Sequence, residues 1–263
     1  MTALWTWRSD SPSVQSITTA FSSDPLIKWL RPNAKPWDYQ DALTQRWQHR
    51  RIKSVMSEGI VLQSASVGQI AEEYPRKNKK AEPSDGAAAP RKTAHVSVPE
   101  NPVIATNQGE AGAVVFLYPP KEHRPWSISS MWYSWKMWLL ELFNPVKDTL
   151  FKDERVKMLM SRHTPGKRHL QARYSKLWYL EVIAVHPSLQ SRGLGGSVMR
   201  AILEKVGGNP IFLECTRQEN ISFYEVFGFK LIEEVDLTDT PAHIEEDGKL
   251  KYWVMVHETD STQ

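Results

Sequence analysis

The chain has 263 residues and a formal net charge of +3, and 41% of its residues are hydrophobic. This composition supports a globular core, and the small net charge argues against a nucleic-acid-binding protein, which needs a concentrated basic face. A single cysteine, Cys215, excludes an internal disulfide framework and a cysteine-rich zinc site. The histidines are scattered, so the sequence predicts no metal site.

The N-terminal segment lacks the apolar run after a basic start that defines a signal peptide. The most apolar stretch, residues 126–143, contains Lys136 and Glu141 and is too short and too charged to predict a membrane span. These features predict a cytoplasmic protein without a transmembrane segment.

Two short helices are predicted near the N-terminus. The spacing of Val14, Ile17 and Phe21 is helical, and Asp24-Pro25 offers an N-cap and a first-turn proline for a second helix that carries Trp29. Phe21 and Trp29 are interpreted either as core residues or as part of a surface that contacts a substrate.

A longer helix is predicted over residues 36–58. We interpret its basic face as solvated; the face consists of Arg46, His49, Arg50, Arg51 and Lys53. Gly59 ends this helix and a strand follows at residues 60–62. Residues 66–110 contain few large apolar side chains and many helix and strand breakers, which predicts a poorly ordered insert between two strands. The alternative for this segment is a basic docking tail.

A strand is predicted over residues 112–118, followed by a tryptophan-rich helix. Trp132 and Trp135 lie on one stripe of that helix, together with Leu139. The stripe is interpreted as a face that packs on the core. Alternatively, it lines an apolar pocket for a substrate, and contact with a membrane surface is a third possibility.

The most informative stretch is residues 178–207. An apolar strand over 178–185 ends at His186-Pro187, and a basic, glycine-containing turn over 190–196 leads into an amphipathic helix that stops at Gly207. Unpaired amides at a helix N-terminus, preceded by glycines, favour the binding of a phosphate or pyrophosphate. The segments that follow predict a strand over 210–216, a helix over 219–228, a strand over 229–237, a polar loop over 238–249 and a last strand over 251–258.

The spacing of the glycines excludes two common phosphate-binding motifs. The turn reads Q-x-x-G-x-G from Gln190 to Gly195, so it lacks both the P-loop lysine and the G-x-G-x-x-G spacing of dinucleotide-binding folds. With the preceding V-x-P at Val185–Pro187, it resembles the acetyl-CoA signature of the GNAT N-acetyltransferase superfamily.

A second motif, N-x-x-F-Y-x-x-x-G-F from Asn220 to Phe229, also resembles that superfamily. The longer pattern L-E-x-x-R-x-E-N-x-x-F-Y-E-x-x-G-F, which starts at Leu213, is similar to puromycin N-acetyltransferase-like and fungal small-molecule acetyltransferases. The resemblance implies a single domain over residues 1–263 with an α/β GNAT fold. This fold is a mixed, mostly antiparallel twisted sheet of six to seven strands, with a splayed central strand pair and helices on both faces.

The resemblance also implies acetyl-CoA as the co-substrate and no metal. The residues that it assigns to cofactor binding are Ile183, Ala184, Val185, Gln190, Ser191, Arg192, Gly193, Leu194, Gly195, Gly196, Asn220 and Tyr224.

Acetyl transfer needs a proton for the departing thiolate and the removal of a proton from the amine. The family pattern implies Tyr224 as the acid. Glu181 and Glu214 are the candidate bases, with a slight preference for Glu181, although direct attack through a water relay needs neither. His186 and Cys215 are interpreted as structural.

The sequence therefore predicts direct transfer of an acetyl group to an amine of a small molecule, in detoxification or secondary metabolism. Phe21, Trp29, Trp132 and Trp135 are the candidate acceptor contacts. The alternatives are a protein N-terminal or lysine acetyltransferase and a non-catalytic CoA-binding regulator. The chain is expected to be a monomer or a homodimer.

Overall fold

A computed structural model describes residues 12–31, 42–73, 109–120, 132, 135, 139, 153–238 and 249–258. The helices of this part are α1 (Pro12–Ala20), α2 (Pro25–Leu30), α3 (Ala42–Glu58), α4 (Val67–Glu73), α5 (Asp153–Arg173), α6 (Leu194–Val206) and α7 (Ile221–Glu225). The strands are β1 (Ile60–Gln63), β2 (Ala113–Tyr118), β3 (Trp178–Val185), β4 (Ile211–Cys215), β5 (Phe229–Thr238) and β6 (Lys249–His257).

The strands form one open six-stranded sheet with the order β1-β2-β3-β4-β6-β5. Neighbouring strands are antiparallel except for β3 and β4, which are parallel. The predicted mixed, mostly antiparallel α/β fold is therefore confirmed. The one parallel pair is joined through α6, as expected for a crossover connection between parallel strands.

The parallel pair is very short. Strands β3 and β4 pair only between Trp178–Leu180 and Ile211–Leu213. Beyond these residues β3 continues beside β2, and β4 continues beside β6. No pairing joins Glu181–Val185 to β4 within the part of the chain that the structure describes. We call this opening between the two strands the fork; it is the predicted splay.

Helices cover both faces of the sheet. On one face, α6 and α7 pack through Met199, Ile202 and Tyr224 against a cluster that includes Leu180 and Leu213. On the opposite face, α1 and α3 cover β2 and β3, while α2 and α5 cover β4, β5 and β6. Each face therefore buries its own hydrophobic cluster, so β2 is buried along nearly its whole length and β4 is buried at four of its five residues.

A β-bulge interrupts the pairing of β2 with β3 at the fork. Phe116 pairs with Val182 and Leu117 pairs with Leu180, so Glu181 is the extra residue on β3. A bulge re-aims the side chain of its extra residue. Here the Glu181 carboxylate meets Arg51 of α3, on the face that α1, α3 and α5 cover.

The structure corrects three sequence-based expectations. Residues 67–73, the start of the predicted poorly ordered insert, form helix α4, and its Ile70 is buried against Leu189 and Leu194. Residues 74–108 of the insert lie outside the described residues. Helix α7 is shorter than predicted, because Gln218–Asn220 form a 3-10 turn before it.

The third correction concerns the tryptophan-rich segment. Trp132 and Trp135 are helical and their rings are 5.2 Å apart, but 58% and 51% of their surfaces are exposed. The interpretation of these two residues as core-facing is therefore wrong. The rest of this segment, apart from Leu139, lies outside the described residues, as do residues 36–41 of the third predicted helix and 239–248 of the polar loop.

Candidate functional site

The glycine-containing turn has a backbone that few residues can adopt. Ser191 has φ +60° and Gly193 has φ +97°. A Cβ at position 193 would meet no atom within 4 Å, so backbone conformation rather than space is what requires glycine there. The side-chain amide of Gln190 donates from Nε2 to the Val185 carbonyl at 3.1 Å, which attaches the turn to the end of β3.

Helix α6 begins directly after this turn, with Gly193 as its N-cap. The first backbone bond of the helix runs from the Ser197 amide to the Gly193 carbonyl at 3.2 Å. The amides of residues 194–196 precede that bond and have no intrahelical acceptor. Together with the positive end of the helix dipole, they offer an anion site beside the fork.

Gly195 and Gly196, in the first turn of α6, lie where three elements meet, and a Cβ at either position would make ordinary van der Waals contacts. A Cβ at Gly195 would lie 3.8 Å from Val185 and 3.7 Å from Phe223. A Cβ at Gly196 would lie 3.5 Å from Phe227. The start of α6, the end of β3 and helix α7 therefore come together on one face of the sheet.

Tyr224 lies on α7 at this junction and is 9% exposed. Its ring packs edge-on against Phe223 and Phe229. Burial, followed by the nearby Cys215 and Asp24, raises the pKa of the Tyr224 hydroxyl. The phenol therefore stays protonated over the whole neutral range and can act only as a proton donor or a hydrogen-bond partner.

The two carboxylates predicted from the sequence both lie at the fork, on the face opposite Tyr224's helix. Arg51 donates to Oε1 of Glu181 from Nη2 at 2.7 Å and from Nε at 3.1 Å. Burial alone would raise the pKa of Glu181, but Arg51 and a bond from the Tyr118 hydroxyl hold that pKa below its ordinary value. Glu181 is thus an ionised, ion-paired group, and Arg51 does not belong to a solvated face as the sequence suggested.

Glu214 has different partners. Its Oε1 lies 2.7 Å from Nδ1 of His163, and its Oε2 accepts a bond from the Tyr179 hydroxyl at 3.0 Å. Because an ionised carboxylate can only accept, Nδ1 of His163 is assigned as the protonated nitrogen. Both oxygens of Glu214 are then occupied by donors from the protein.

Helix α5 connects the two carboxylates. His163 and Lys167 are four residues apart and so lie on the same side of the helix. Nζ of Lys167 lies 4.2 Å from the ring centre of Tyr179, and the His163 ring lies 5.9 Å from it. The Lys167 charge contributes to the lowered pKa of Glu181. The helix thus presents His163 to Glu214 and Lys167 towards Glu181.

A cavity lies between α5 and the sheet. Its lining residues are Arg162, His163, Gly166, Lys167, Leu170, Phe212, Glu214, Glu233, Val235, Tyr252 and Val254. These residues run from β4 across β6 to β5, so His163 and Glu214 mark the end of the cavity that lies nearest the fork.

The turn between α1 and α2 is fixed to the end of β4. Asp24 caps α2 by accepting from the amides of Leu26 at 2.9 Å and Ile27 at 3.2 Å. Its second oxygen accepts from the Thr216 hydroxyl at 2.8 Å. The predicted cap is confirmed, and the same carboxylate holds the N-terminal helices against the fork.

The remaining sequence candidates are spread more widely. Trp29 is 3% exposed, and the Arg155 guanidinium lies 5.2 Å from its ring centre. Phe21 packs on the cluster beneath α1 and α3. Ala184 faces that cluster too, whereas Ile183 and Val185 face α6. Asn220 is exposed in the turn before α7.

His186 and Cys215 have structural contacts. His186 accepts from the Ser188 amide at 3.3 Å to cap a 3-10 turn, and its Nε2 lies 2.5 Å from Glu110. Cys215 is buried, and burial raises the pKa of its thiol. Both observations support the structural interpretation of these two residues.

Sequence reasoning missed three residues of this site: Arg51, His163 and Tyr179. Arg51 lies in a basic run that is typical of a solvated face, and Tyr179 lies in an apolar run that predicts a strand, so neither residue stands out in the sequence. The available signal for His163 is its four-residue spacing from Lys167, which is too common to identify a site.

The described residues contain no cluster of three or more His, Cys, Asp or Glu side chains that could hold a metal ion. Within the same ranges, every helix is too short or too polar to cross a membrane.

Part of the chain matches a known protein family, and the fold is similar to that of solved structures. Residues 152–231, which include the fork, the glycine turn and Tyr224, match the family model described as an acetyltransferase (GNAT) domain. The fold as a whole resembles arylalkylamine N-acetyltransferase 2 from Aedes aegypti, with 13% identity, a TM-score of 0.51, and coverage of 94% of this chain and 93% of that one.

A structure from Corynebacterium glutamicum, described as histone acetyltransferase HPA2 and related acetyltransferase, is also similar to the chain. It has 15% identity and a TM-score of 0.45, over 99% of this chain and 97% of that one.

Proposed function

We propose that this chain, whose residues 152–231 match a GNAT acetyltransferase domain, transfers an acetyl group from acetyl-CoA to an amine of a small molecule. The observation that carries the proposal is the fork. Strands β3 and β4 separate directly after Leu180 and Leu213, and the amide-rich start of α6 lies beside the opening. An extended, anionic ligand fits this combination.

The residues present fit acetyl-CoA as a substrate. The pyrophosphate would be held by the amides of residues 194–196, with positive charge added by Arg192 and Arg200. The backbone of residues 183–185 would line the extended arm, because β4 does not pair with that part of β3. These roles are the ones that the sequence motif implies.

At the fork, the Tyr224 hydroxyl and the two carboxylates lie on opposite faces of the sheet. Tyr224 approaches from the face of α6 and α7, while Glu181 and Glu214 lie on the face of α3 and α5. We assign Tyr224 as the acid that protonates the departing thiolate, because its buried hydroxyl keeps its proton. The acceptor amine would approach from the opposite face.

Of the two carboxylates, Glu181 is the weaker candidate for the base. A carboxylate whose pKa is held down by Arg51 has little tendency to take a proton. We therefore assign Glu181 to the electrostatic environment of the acceptor, where its ion pair with Arg51 keeps the face of the fork ordered. A role in detoxification or secondary metabolism stays a prediction from the sequence, as does the oligomeric state.

The test is thermal unfolding with and without acetyl-CoA, followed by a CoA-release assay over a panel of alkyl and aryl amines. A ligand present at 100 times its dissociation constant stabilises the native state by about 2.7 kcal/mol. We expect a rise in melting temperature and CoA release with at least one amine. The absence of any stabilisation by acetyl-CoA would refute the proposal, and stabilisation without turnover would favour a CoA-binding regulator.

A further inference from the structure

Among the described residues at the acceptor side of the fork, His163 is both held in position and left with a free ring nitrogen for proton transfer. Glu181 accepts two bonds from Arg51, and both oxygens of Glu214 accept bonds from other side chains. His163 uses only Nδ1, and its Nε2 has no hydrogen-bond partner among the described residues. The side chain is 19% exposed, on the wall of the cavity under α5.

We propose that His163 is the general base of the acetyl transfer and that Glu214 is its positioning residue, with the acceptor amine reaching Nε2 from the face of the fork that α5 covers. The inference rests on the proposed acetyl transfer. It assigns a catalytic role to a histidine on α5, outside both sequence motifs, and it gives Glu214 a different role from the one predicted.

The arrangement has the three parts that an oriented base needs. The Glu214 carboxylate accepts from Nδ1 at 2.7 Å, which leaves the lone pair of a neutral imidazole on Nε2. Tyr179 donates to the other carboxylate oxygen at 3.0 Å and so fixes Glu214. The chain Tyr179–Glu214–His163 therefore sets both the tautomer and the direction of the ring.

The charged and titratable groups that surround the imidazole come from five elements. Arg162 and Lys167 lie beside it on α5, Tyr179 and Glu214 face it from β3 and β4, and Glu233 and Tyr252 line the cavity from β5 and β6. The two carboxylates of this set are Glu214 and Glu233, and its two basic side chains are Arg162 and Lys167.

The proton balance is complete without a further reactant. The acceptor ammonium gives one proton to Nε2, and the imidazolium is stabilised by Glu214. The nitrogen lone pair forms the C–N bond at the thioester carbon, and collapse of the resulting oxyanion breaks the C–S bond. The thiolate takes the proton of Tyr224, which regains one from the acetylated nitrogen through solvent, and His163 releases its proton to solvent.

The variant that tests the base is His163→Gln, which keeps a side chain able to donate to Glu214. The matched control is His169→Gln, an exposed position on the same helix. With the fastest amine of the panel, we expect kcat of His163→Gln to fall about 10²- to 10⁴-fold, while stabilisation by acetyl-CoA stays unchanged. The control should keep wild-type turnover.

Chemical rescue separates a base from a structural residue. Added imidazole should restore turnover to His163→Ala in proportion to its concentration, and it should not restore Tyr224→Phe. Glu214→Gln should lower kcat, and combining it with His163→Gln should add little, since the two residues act as a unit. Nitrogen-15 NMR of the wild-type imidazole should show the proton on Nδ1.

The possible failures are distinguishable. If the wild-type protein does not bind acetyl-CoA, the proposed function itself is refuted. Unchanged turnover in His163→Gln, with acetyl-CoA binding intact, would overturn the inference alone. Lost turnover in His163→Ala that imidazole does not restore would also overturn it, because the histidine would then act only through the structure.

Discussion

Glu181 and Glu214 occupy matching positions on two strands that separate: each directly follows the last residue, Leu180 or Leu213, that pairs with the other strand. Yet their surroundings differ. Arg51 neutralises Glu181, whereas Glu214 is held by a histidine and a tyrosine. Two carboxylates at one fork therefore have different chemistry because different helices cover them.

The Arg51–Glu181 pair should contribute to stability. Arg51→Leu removes two donors from a carboxylate that is only 21% exposed, so we expect a loss of about 1–3 kcal/mol in the free energy of unfolding. Urea denaturation of wild type and variant measures this loss in the free energy of unfolding. The exposed pair Lys251–Glu234 provides the control, since Lys251→Met should change the unfolding midpoint far less.

The stability that the Arg51–Glu181 pair contributes should depend on pH. The pKa of Glu181 is lower in the folded chain than in the unfolded one. The ionised carboxylate therefore stabilises the fold fully above the unfolded pKa of about 4.3, and this stabilisation is lost as pH falls through the folded pKa. The stability difference between wild type and Glu181→Gln should therefore be largest near pH 7 and shrink below about pH 4. A difference that grows on acidification would contradict the ion-pair assignment.

Tyr224→Phe should separate catalysis from binding. Removing the hydroxyl should lower kcat about 10²- to 10⁴-fold, because the thiolate loses its proton donor, while the rise in melting temperature with acetyl-CoA persists. Since burial raises the pKa of Tyr224, the wild-type rate should show no loss from ionisation of this phenol up to pH 9.5. Steady-state kinetics from pH 6 to 9.5 test both statements.

Gly193→Ala should weaken both the fold and the binding of acetyl-CoA. The substitution forces a Cβ onto a residue with φ +97°, which costs about 1–2 kcal/mol. Calorimetric titration with CoA should show reduced affinity, because the turn must shift to relieve the strain. Gly68→Ala is the matched control: that glycine lies in α4 with open space around its Cα, so alanine should be neutral or stabilising.

Asp24 should couple the N-terminal helices to β4. Asp24→Ala removes the cap of α2 and the partner of Thr216 and should cost about 1–2 kcal/mol. A double-mutant cycle with Thr216→Val measures the coupling across the 192 residues that separate the pair. A coupling energy of zero would mean that the Thr216 bond does not hold the two segments together.

Local patterns in the sequence were enough to predict most of the fold. The hydrophobic spacing over residues 194–206, the αL glycine at 207 and the cap at Asp24 each follow from neighbouring residues. The order of strands and helices after residue 178 was also predicted correctly, whereas the splay of β3 from β4 was implied only by the resemblance to the GNAT superfamily. These features depend on periodicity and on motifs that lie close together in the chain.

The acceptor side of the site could not be predicted in the same way. Arg51 and Glu181 are 130 positions apart, and His163 and Glu214 are 51 apart. Such pairs form because α3 and α5 cross the same face of the sheet, and a single sequence contains no signal for that crossing. The bulge that turns Glu181 towards Arg51 is equally invisible in an apolar run of strand residues.

The short pairing between β3 and β4 also has a mechanical meaning. Three residue pairs join one half of the sheet, β1-β2-β3, to the other half, β4-β6-β5, whereas nine pairs hold β5 to β6. Under a pulling force the sheet should separate first between β3 and β4, because the fewest residue pairs hold these two strands together. A ligand lying in the fork would bridge the two strands, so the force needed to separate the halves should rise when acetyl-CoA binds.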